Sequence, residues 1–267
     1  MVTIAELMNM RGRRALVTGA AGGIGRVIAR TLAELGADLI LVDRNDSRYG
    51  TLVEDLASDW GVNVQTIGTD LELQQDRDRL VSLIYSQNNT LDVIVNNAAF
   101  VGTTGLPGWI TEFENQSIET WRRALEVNLT AVFDLAKGLA PLLRQNKRGV
   151  ILNIGSIYGK YGPNYSLYAD TEMGSPAAYA ASKGGLLQLT RWMATTLAPD
   201  IRVNAISPGG VLRNQPEAFI QRYEKQTPLS RMATEDDFCG AVAYLASDLS
   251  KYVTGQDIGV DGGWGAW

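Results

Sequence analysis

The chain has 267 residues, 45% hydrophobic and 20% charged, a balance that supports a substantial core and carries no compositional mark of disorder. Twenty-four basic residues against 29 acidic ones leave a net charge of -5, the wrong sign for attraction to a phosphate backbone, so nucleic acid is not an expected partner. Histidine is absent, which excludes Ser-His-Asp hydrolysis, Cys-His catalysis and His-ligated zinc, and no metal site is expected.

Acid and base chemistry must then fall to Tyr, Lys, Asp, Glu or the single cysteine, Cys239. A lone cysteine forms no internal disulfide and fits a reducing compartment, so a cytoplasmic location is expected. The N-terminal stretch has no basic segment followed by an apolar core, and no run approaches the length of a membrane span.

In chain order, short runs rich in Val, Ile and Leu fall at Ala15 to Val17, Leu39 to Val42, Val62 to Ile67, Val93 to Val95, Val150 to Ile154, Ile201 to Ile206 and Ile258 to Val260. They predict seven strands. Helical spacing predicts helices between them, among others over Ile24 to Leu35, Trp121 to Leu143, Ala178 to Leu197 and Asp236 to Ala246. Strands alternating with helices imply an α/β fold with a parallel sheet covered on both faces. No repeat or linker divides the chain, so residues 1–267 read as one domain, with substrate loops at about 157–178 and 212–232.

The first strand runs into Thr18-Gly19-Ala20-Ala21-Gly22-Gly23-Ile24-Gly25, a turn whose glycines admit a pyrophosphate at the start of the next helix. Asp43 ends the second strand, where a carboxylate can accept from two ribose hydroxyls and would repel a 2′-phosphate, although Arg44 beside it offsets part of that repulsion. NAD is therefore expected over NADP. Asp70 follows the third strand as a helix cap or a cofactor contact, and Asn96-Asn97-Ala98-Ala99 follows the fourth as a tight turn or a bed for the cofactor.

Ser156 closes the fifth strand, at the edge where α/β sheets open onto ligands, and also suits a helix cap. Tyr179-Ala180-Ala181-Ser182-Lys183 sets a phenol and an ammonium four residues apart on one helix face. A free phenol titrates near 10, and a neighbouring cation lowers that value toward neutrality.

Taken together, these motifs resemble the classical short-chain dehydrogenase/reductase family from Arg13 to Asp261-Gly262-Gly263. The resemblance implies a Rossmann-type doubly wound sheet and a tetrad of Asn128, Ser156, Tyr179 and Lys183. Tyr179 would transfer the proton, Ser156 would orient the substrate oxygen, Lys183 would hold the nicotinamide ribose, and Asn128 would keep a relay water. The dinucleotide would lie against Gly19, Gly23, Ile24, Gly25, Asp43, Asp70, Leu71, Asn97, Ala98, Tyr179, Lys183, Pro208, Gly209 and Val211.

Three departures from the family pattern stand out: Ala99 for a glycine, Arg213 for a threonine near the nicotinamide, and an extra segment from Tyr161 to Met173. That segment is expected beside the substrate pocket, with Asn164, Asp170, Thr171 and Glu172 as partners for a polyhydroxylated alcohol or ketone. The insertion resembles enzymes of bacterial flagellin and surface-glycan sugar modification, so a sugar-derived substrate is expected. The resemblance also implies a homodimer or homotetramer. A nucleotide-sugar epimerase or dehydratase, and a non-catalytic NAD-binding regulator, are the competing readings; the tail tryptophans Trp264 and Trp267 have no assigned role.

Overall fold

A computed structural model describes residues 1–87, 90–101 and 106–267. After a short N-terminal helix α1 (Ile4–Met8), the sheet strands are β1 (Arg14–Thr18), β2 (Asp38–Asp43), β3 (Val64–Gly68), β4 (Val93–Asn96), β5 (Gly149–Ile154), β6 (Ile201–Pro208) and β7 (Asp257–Val260). All pairings are parallel, in the order β3-β2-β1-β4-β5-β6-β7. The expected seven strands are therefore present. The third begins at Val64, because Val62 turns into the core and the Asn63 backbone N–H bonds the Asp38 side chain.

The remaining helices are α2 (Gly23–Glu34), α3 (Leu52–Trp60), α4 (Gln74–Ser86), α5 (Ile118–Leu125), α6 (Ala131–Arg144), α7 (Ala177–Thr196), α8 (Glu217–Gln226) and α9 (Cys239–Ala246). Strand alternation divides the core in two. Ala15, Val17, Leu39 and Leu41 meet Ile28 and Leu32 of α2 and Val242 and Leu245 of α9. On the other face Leu16, Ile40 and Val42 meet Leu80 and Ile84 of α4, Leu135 and Leu139 of α6 and Met193 of α7. A sheet hydrophobic on both faces needs both helical layers.

Two segments differ in detail from their sequence-based expectations. The helix expected over Trp121 to Leu143 is interrupted by a π turn at Glu126–Thr130, where the Ala131 N–H reaches back to the Glu126 carbonyl. Such single-turn expansions gather at functional sites, and this one centres on Asn128. The loop at about 212–232 contains α8, a ten-residue helix.

Strand order reverses between β1 and β4: β1 is followed in the chain by β2 on one side, and β4 by β5 on the other. Their carboxyl ends diverge there, which opens the crevice where open α/β sheets bind ligands.

Candidate active site

The glycine turn is packed against the end of β4 so closely that side chains are excluded. Gly19 has φ +64, and a Cβ on it would lie 2.8 Å from the Ala98 Cα. The Thr18 hydroxyl accepts from the N–H groups of Asn97 and Ala98, and the Asn97 amide donates to the carbonyls of Thr18 and Gly19. The Asn97 side chain thus fastens the turn, and its amide is committed to that task rather than left facing a cofactor.

A Cβ on Gly25 would stand 2.1 Å from the Gly19 carbonyl oxygen and 2.9 Å from the Ala20 Cα. These are backbone atoms, which yield only if the turn moves. Gly25→Ala is expected to destabilise the fold by about 1–3 kcal/mol, the usual range for overpacking, visible as a lowered melting temperature; an unchanged melting curve would mean that the turn yields freely.

Asp43 lies where β2 ends, beside this turn. One carboxylate oxygen accepts from the Ala21 N–H at 2.9 Å, and the other from the Arg44 N–H and the Ser47 hydroxyl at 2.8 and 2.6 Å. The first oxygen keeps acceptor capacity for a ribose hydroxyl. The Arg44 guanidinium points instead to Asp46, 3.6 Å away.

Asp70 does not cap α4, whose first residue follows Leu73; one of its carboxylate oxygens accepts from the Glu72 N–H in the loop after β3, and its own N–H bonds Asp76 of the helix. The Leu71 side chain belongs to the core, while its carbonyl accepts from buried Arg77 at 2.6 Å. Arg77 also pairs with Glu126 of the π turn at 2.7 Å and with Asp134 at 2.9 Å. This buried cation ties the loop after β3 to the segment carrying Asn128. Sequence gave no warning of it, since an arginine on an amphipathic helix ordinarily faces solvent.

Asn128 is buried. Its carbonyl oxygen accepts from the Phe100 N–H at 2.6 Å, and its amide donates to the Ser182 hydroxyl at 3.0 Å and, more weakly, to the Phe100 carbonyl at 3.4 Å. Both amide hydrogens are spent. The amide thus joins the exit of strand β4 to α7.

Ser156, buried at the end of β5, caps a 3-10 turn at Ile157–Gly159 by accepting from the Tyr158 N–H at 3.1 Å. That bond fixes the hydroxyl oxygen and leaves its proton free to donate. Both sequence readings of Ser156 thus describe one geometry.

Tyr179 and Lys183 stand on α7, facing Ser156. The Lys183 ammonium is 2.7 Å from the Ile154 carbonyl and 5.8 Å from the centre of the Tyr179 ring. Burial pulls Lys183 down to about 8. Burial pushes the Tyr179 hydroxyl above the ordinary tyrosine value, and the neighbouring Ser156 hydroxyl pulls it part of the way back. The side chain as a whole stays partly exposed, but the pKa follows its hydroxyl, which sits among protein atoms. Desolvation is the largest influence on the phenol.

At the far side Pro208 ends β6 and the Gly209 N–H bonds the Val260 carbonyl. Val211 forms a parallel bridge with Ala233. This bridge carries Arg213 and Glu235 to the glycine turn, where they form an ion pair at 3.4 Å.

The inserted segment is anchored more tightly than expected. Asn164 donates to Gln226 of α8, Asp170 pairs with Arg222 of α8, and Thr171 donates to the Tyr168 carbonyl. Three of the four polar groups expected to meet substrate thus bond within the protein, while Glu172 is exposed. Tyr168 packs on Phe219, and Trp264 stacks on Tyr223 with ring centres 4.4 Å apart. The tail tryptophans therefore divide: Trp264 braces α8, and Trp267 stays exposed. Near Tyr179 stand the hydrogen-bonded hydroxyls of Tyr168, from the segment, and Tyr158, from the 3-10 turn after Ser156.

Among the described residues no cluster of His, Cys, Asp or Glu could hold a metal ion, and no helix is long and apolar enough to cross a membrane. A glycine turn at the reversal point of a parallel sheet, with Ser156, Tyr179 and Lys183 across from it, defines a dinucleotide-dependent oxidoreductase fold. A family model described as enoyl-(acyl carrier protein) reductase matches residues 19–265, and the chain belongs to the short-chain dehydrogenase/reductase family.

Its relatives span different named roles. The chain is 30% identical to the 3-oxoacyl-(acyl-carrier-protein) reductase FabG of Aquifex aeolicus, over 96% of this chain and 98% of that one. It is 29% identical to the post-translational flagellin modification protein A of Campylobacter coli, over 93% and 96%. Among solved structures it resembles a gluconate 5-dehydrogenase from Burkholderia cenocepacia in complex with NADP and tartrate, at TM-score 0.85 and 29% identity, covering 99% and 100% of the two chains. It also resembles a short-chain dehydrogenase from Leptospira borgpetersenii with bound NAD+, at TM-score 0.81 and 31% identity, covering 99% and 96%.

Proposed function

We propose that this oxidoreductase prefers NAD(H) and acts on the hydroxyl or carbonyl of a small polar, sugar-derived substrate. The observation that carries this is the grouping of Ser156, Tyr179 and Lys183 at the carboxyl edge of the sheet, beside a turn whose Gly19 and Gly25 leave no room for a Cβ. When bound, the nicotinamide supplies or accepts the hydride and, oxidised, adds positive charge beside the phenol.

Ser156 holds the substrate oxygen with its free proton. Tyr179 takes a proton at its hydroxyl oxygen during oxidation and returns it during reduction. Lys183, fixed by the Ile154 carbonyl, holds the ribose and keeps a positive charge near Tyr179. The Tyr158 and Tyr168 hydroxyls favour a substrate with several hydroxyl groups, in keeping with the flagellin-modification and gluconate relatives. Phe133 and Trp192, exposed on α6 and α7, support pairing of subunits through those helices.

Preference for NAD rests on Asp43. A 2′-phosphate would approach its carboxylate while Arg44 is turned to Asp46. Asp43→Ser is expected to shift the NAD-to-NADP ratio of kcat/KM by about tenfold or more toward NADP, since like charges a few ångströms apart repel by several kcal/mol near a protein surface. An unmoved ratio would sink the assignment. The substrate class is tested by turnover on sugar acids, polyols and 3-oxoacyl thioesters; activity confined to the thioesters would overturn it.

A further inference from the structure

Helix α2 begins without a cap of its own. Gly22 offers no side chain, the first turn holds no acidic residue, and the first N–H groups of any helix lack intrahelical partners. The negative charge that faces this turn comes from far along the chain. Glu235 places a carboxylate oxygen 2.6 Å from where a Gly23 Cβ would stand, and the Arg213 guanidinium lies 3.2 Å from the same point. Both groups are held by backbone as well as by charge. The Val211 to Ala233 bridge and the Leu212 N–H to the Ala233 carbonyl, at 2.8 Å, fix the two segments side by side. Gln215 accepts from the Arg213 N–H at 2.7 Å and donates to the Val211 carbonyl.

The carboxylate therefore stands at the mouth of the turn whose geometry suits a diphosphate, and a guanidinium stands beside it. A diphosphate entering there meets a like charge and an opposite one. The like charge must withdraw, whereas the guanidinium offers two parallel donors to phosphate oxygens. The pair is half exposed, so the Arg213 side chain, 49% accessible, is free to turn.

Resting on the cofactor reading above, we infer that Arg213 is a diphosphate-binding residue and Glu235 its internal competitor. Glu235 holds Arg213 at the glycine turn, and dinucleotide binding exchanges that carboxylate for the diphosphate. The family's threonine at this position has no charge with which to make such an exchange. Affinity for dinucleotide is thus set by the difference between two anions competing for one guanidinium and one helix terminus.

The test is calorimetric titration of the full chain with NAD+, ADP and adenosine, for wild type, Arg213→Ala and Glu235→Gln, with melting curves to show that each variant is folded. Arg213→Ala is expected to weaken NAD+ and ADP by about tenfold or more, the usual loss for a charge-assisted contact, and Glu235→Gln to tighten both by about three- to tenfold. Adenosine, which lacks the diphosphate, should bind all three proteins alike. Wild-type affinity for ADP in both variants would overturn the inference, and so would parallel weakening of adenosine, which would place the effect in the fold. If wild type bound neither ADP nor NAD+, the cofactor reading itself would fall, and this inference with it.

Discussion

Tyr179→Phe is expected to lose about 10²- to 10⁴-fold in turnover while its dissociation constant for NAD+ stays within about twofold of wild type. Phenylalanine keeps the ring that packs with Trp121 and Ala178 and removes only the hydroxyl. With no histidine in the chain, no ordinary substitute base stands nearby. The paired phenols Tyr158 and Tyr168 are poor replacements, because burial pushes both above the usual tyrosine value. Steady-state kinetics and equilibrium titration together check this; wild-type turnover would assign proton transfer to another group.

The second large effect concerns Lys183 and pH. Its folded value of about 8 lies below the ordinary 10.5, so between those values the unfolded chain binds more protons than the folded one. Stability then rises with pH across that window, and the cost of burying the ammonium is greatest below pH 8. Lys183→Met has no such group. The stability of wild type relative to Lys183→Met is expected to shift in favour of wild type by about 3 kcal/mol from pH 7.5 to 10.5. Urea denaturation at fixed salt measures it. The variant also leaves the Ile154 carbonyl without its partner, a loss that does not vary with pH and so does not affect the slope. A flat difference would show that the ammonium is solvated in the folded protein. Lys183 is thus a group whose presence opposes stability at neutral pH, as charges buried for function commonly do.

Much of the framework was legible because it depends on period and on backbone freedom. Alternating apolar runs located seven strands, and the glycines at positions 19 and 25 announced a turn that no side chain can enter. Ser156, Tyr179 and Lys183 were legible as a set because no histidine competes with them. Asp43 was legible from its place at the end of a strand.

Other features depend on partners distant in the chain. Asn128 was legible as important, yet its partners Phe100 and Ser182 were not, and they decide what its amide does. The polar residues of the inserted segment looked free until α8 supplied Gln226 and Arg222. Arg77 and Glu235 gave no local signal at all.

The sequence by itself determined the parallel sheet, the glycine turn, the carboxylate at the end of β2 and the spacing of Tyr179 and Lys183, since each follows from periodicity or from residue type at one place. Only the tertiary structure decided that burial raises the Tyr179 phenol and lowers the Lys183 ammonium, that Asn97 and Asn128 spend their amides inside the protein, and that Arg213 meets Glu235 before the glycine turn. Desolvation and hydrogen-bond partnership are properties of what surrounds a residue, and those surroundings exist only once segments far apart in the chain have packed together.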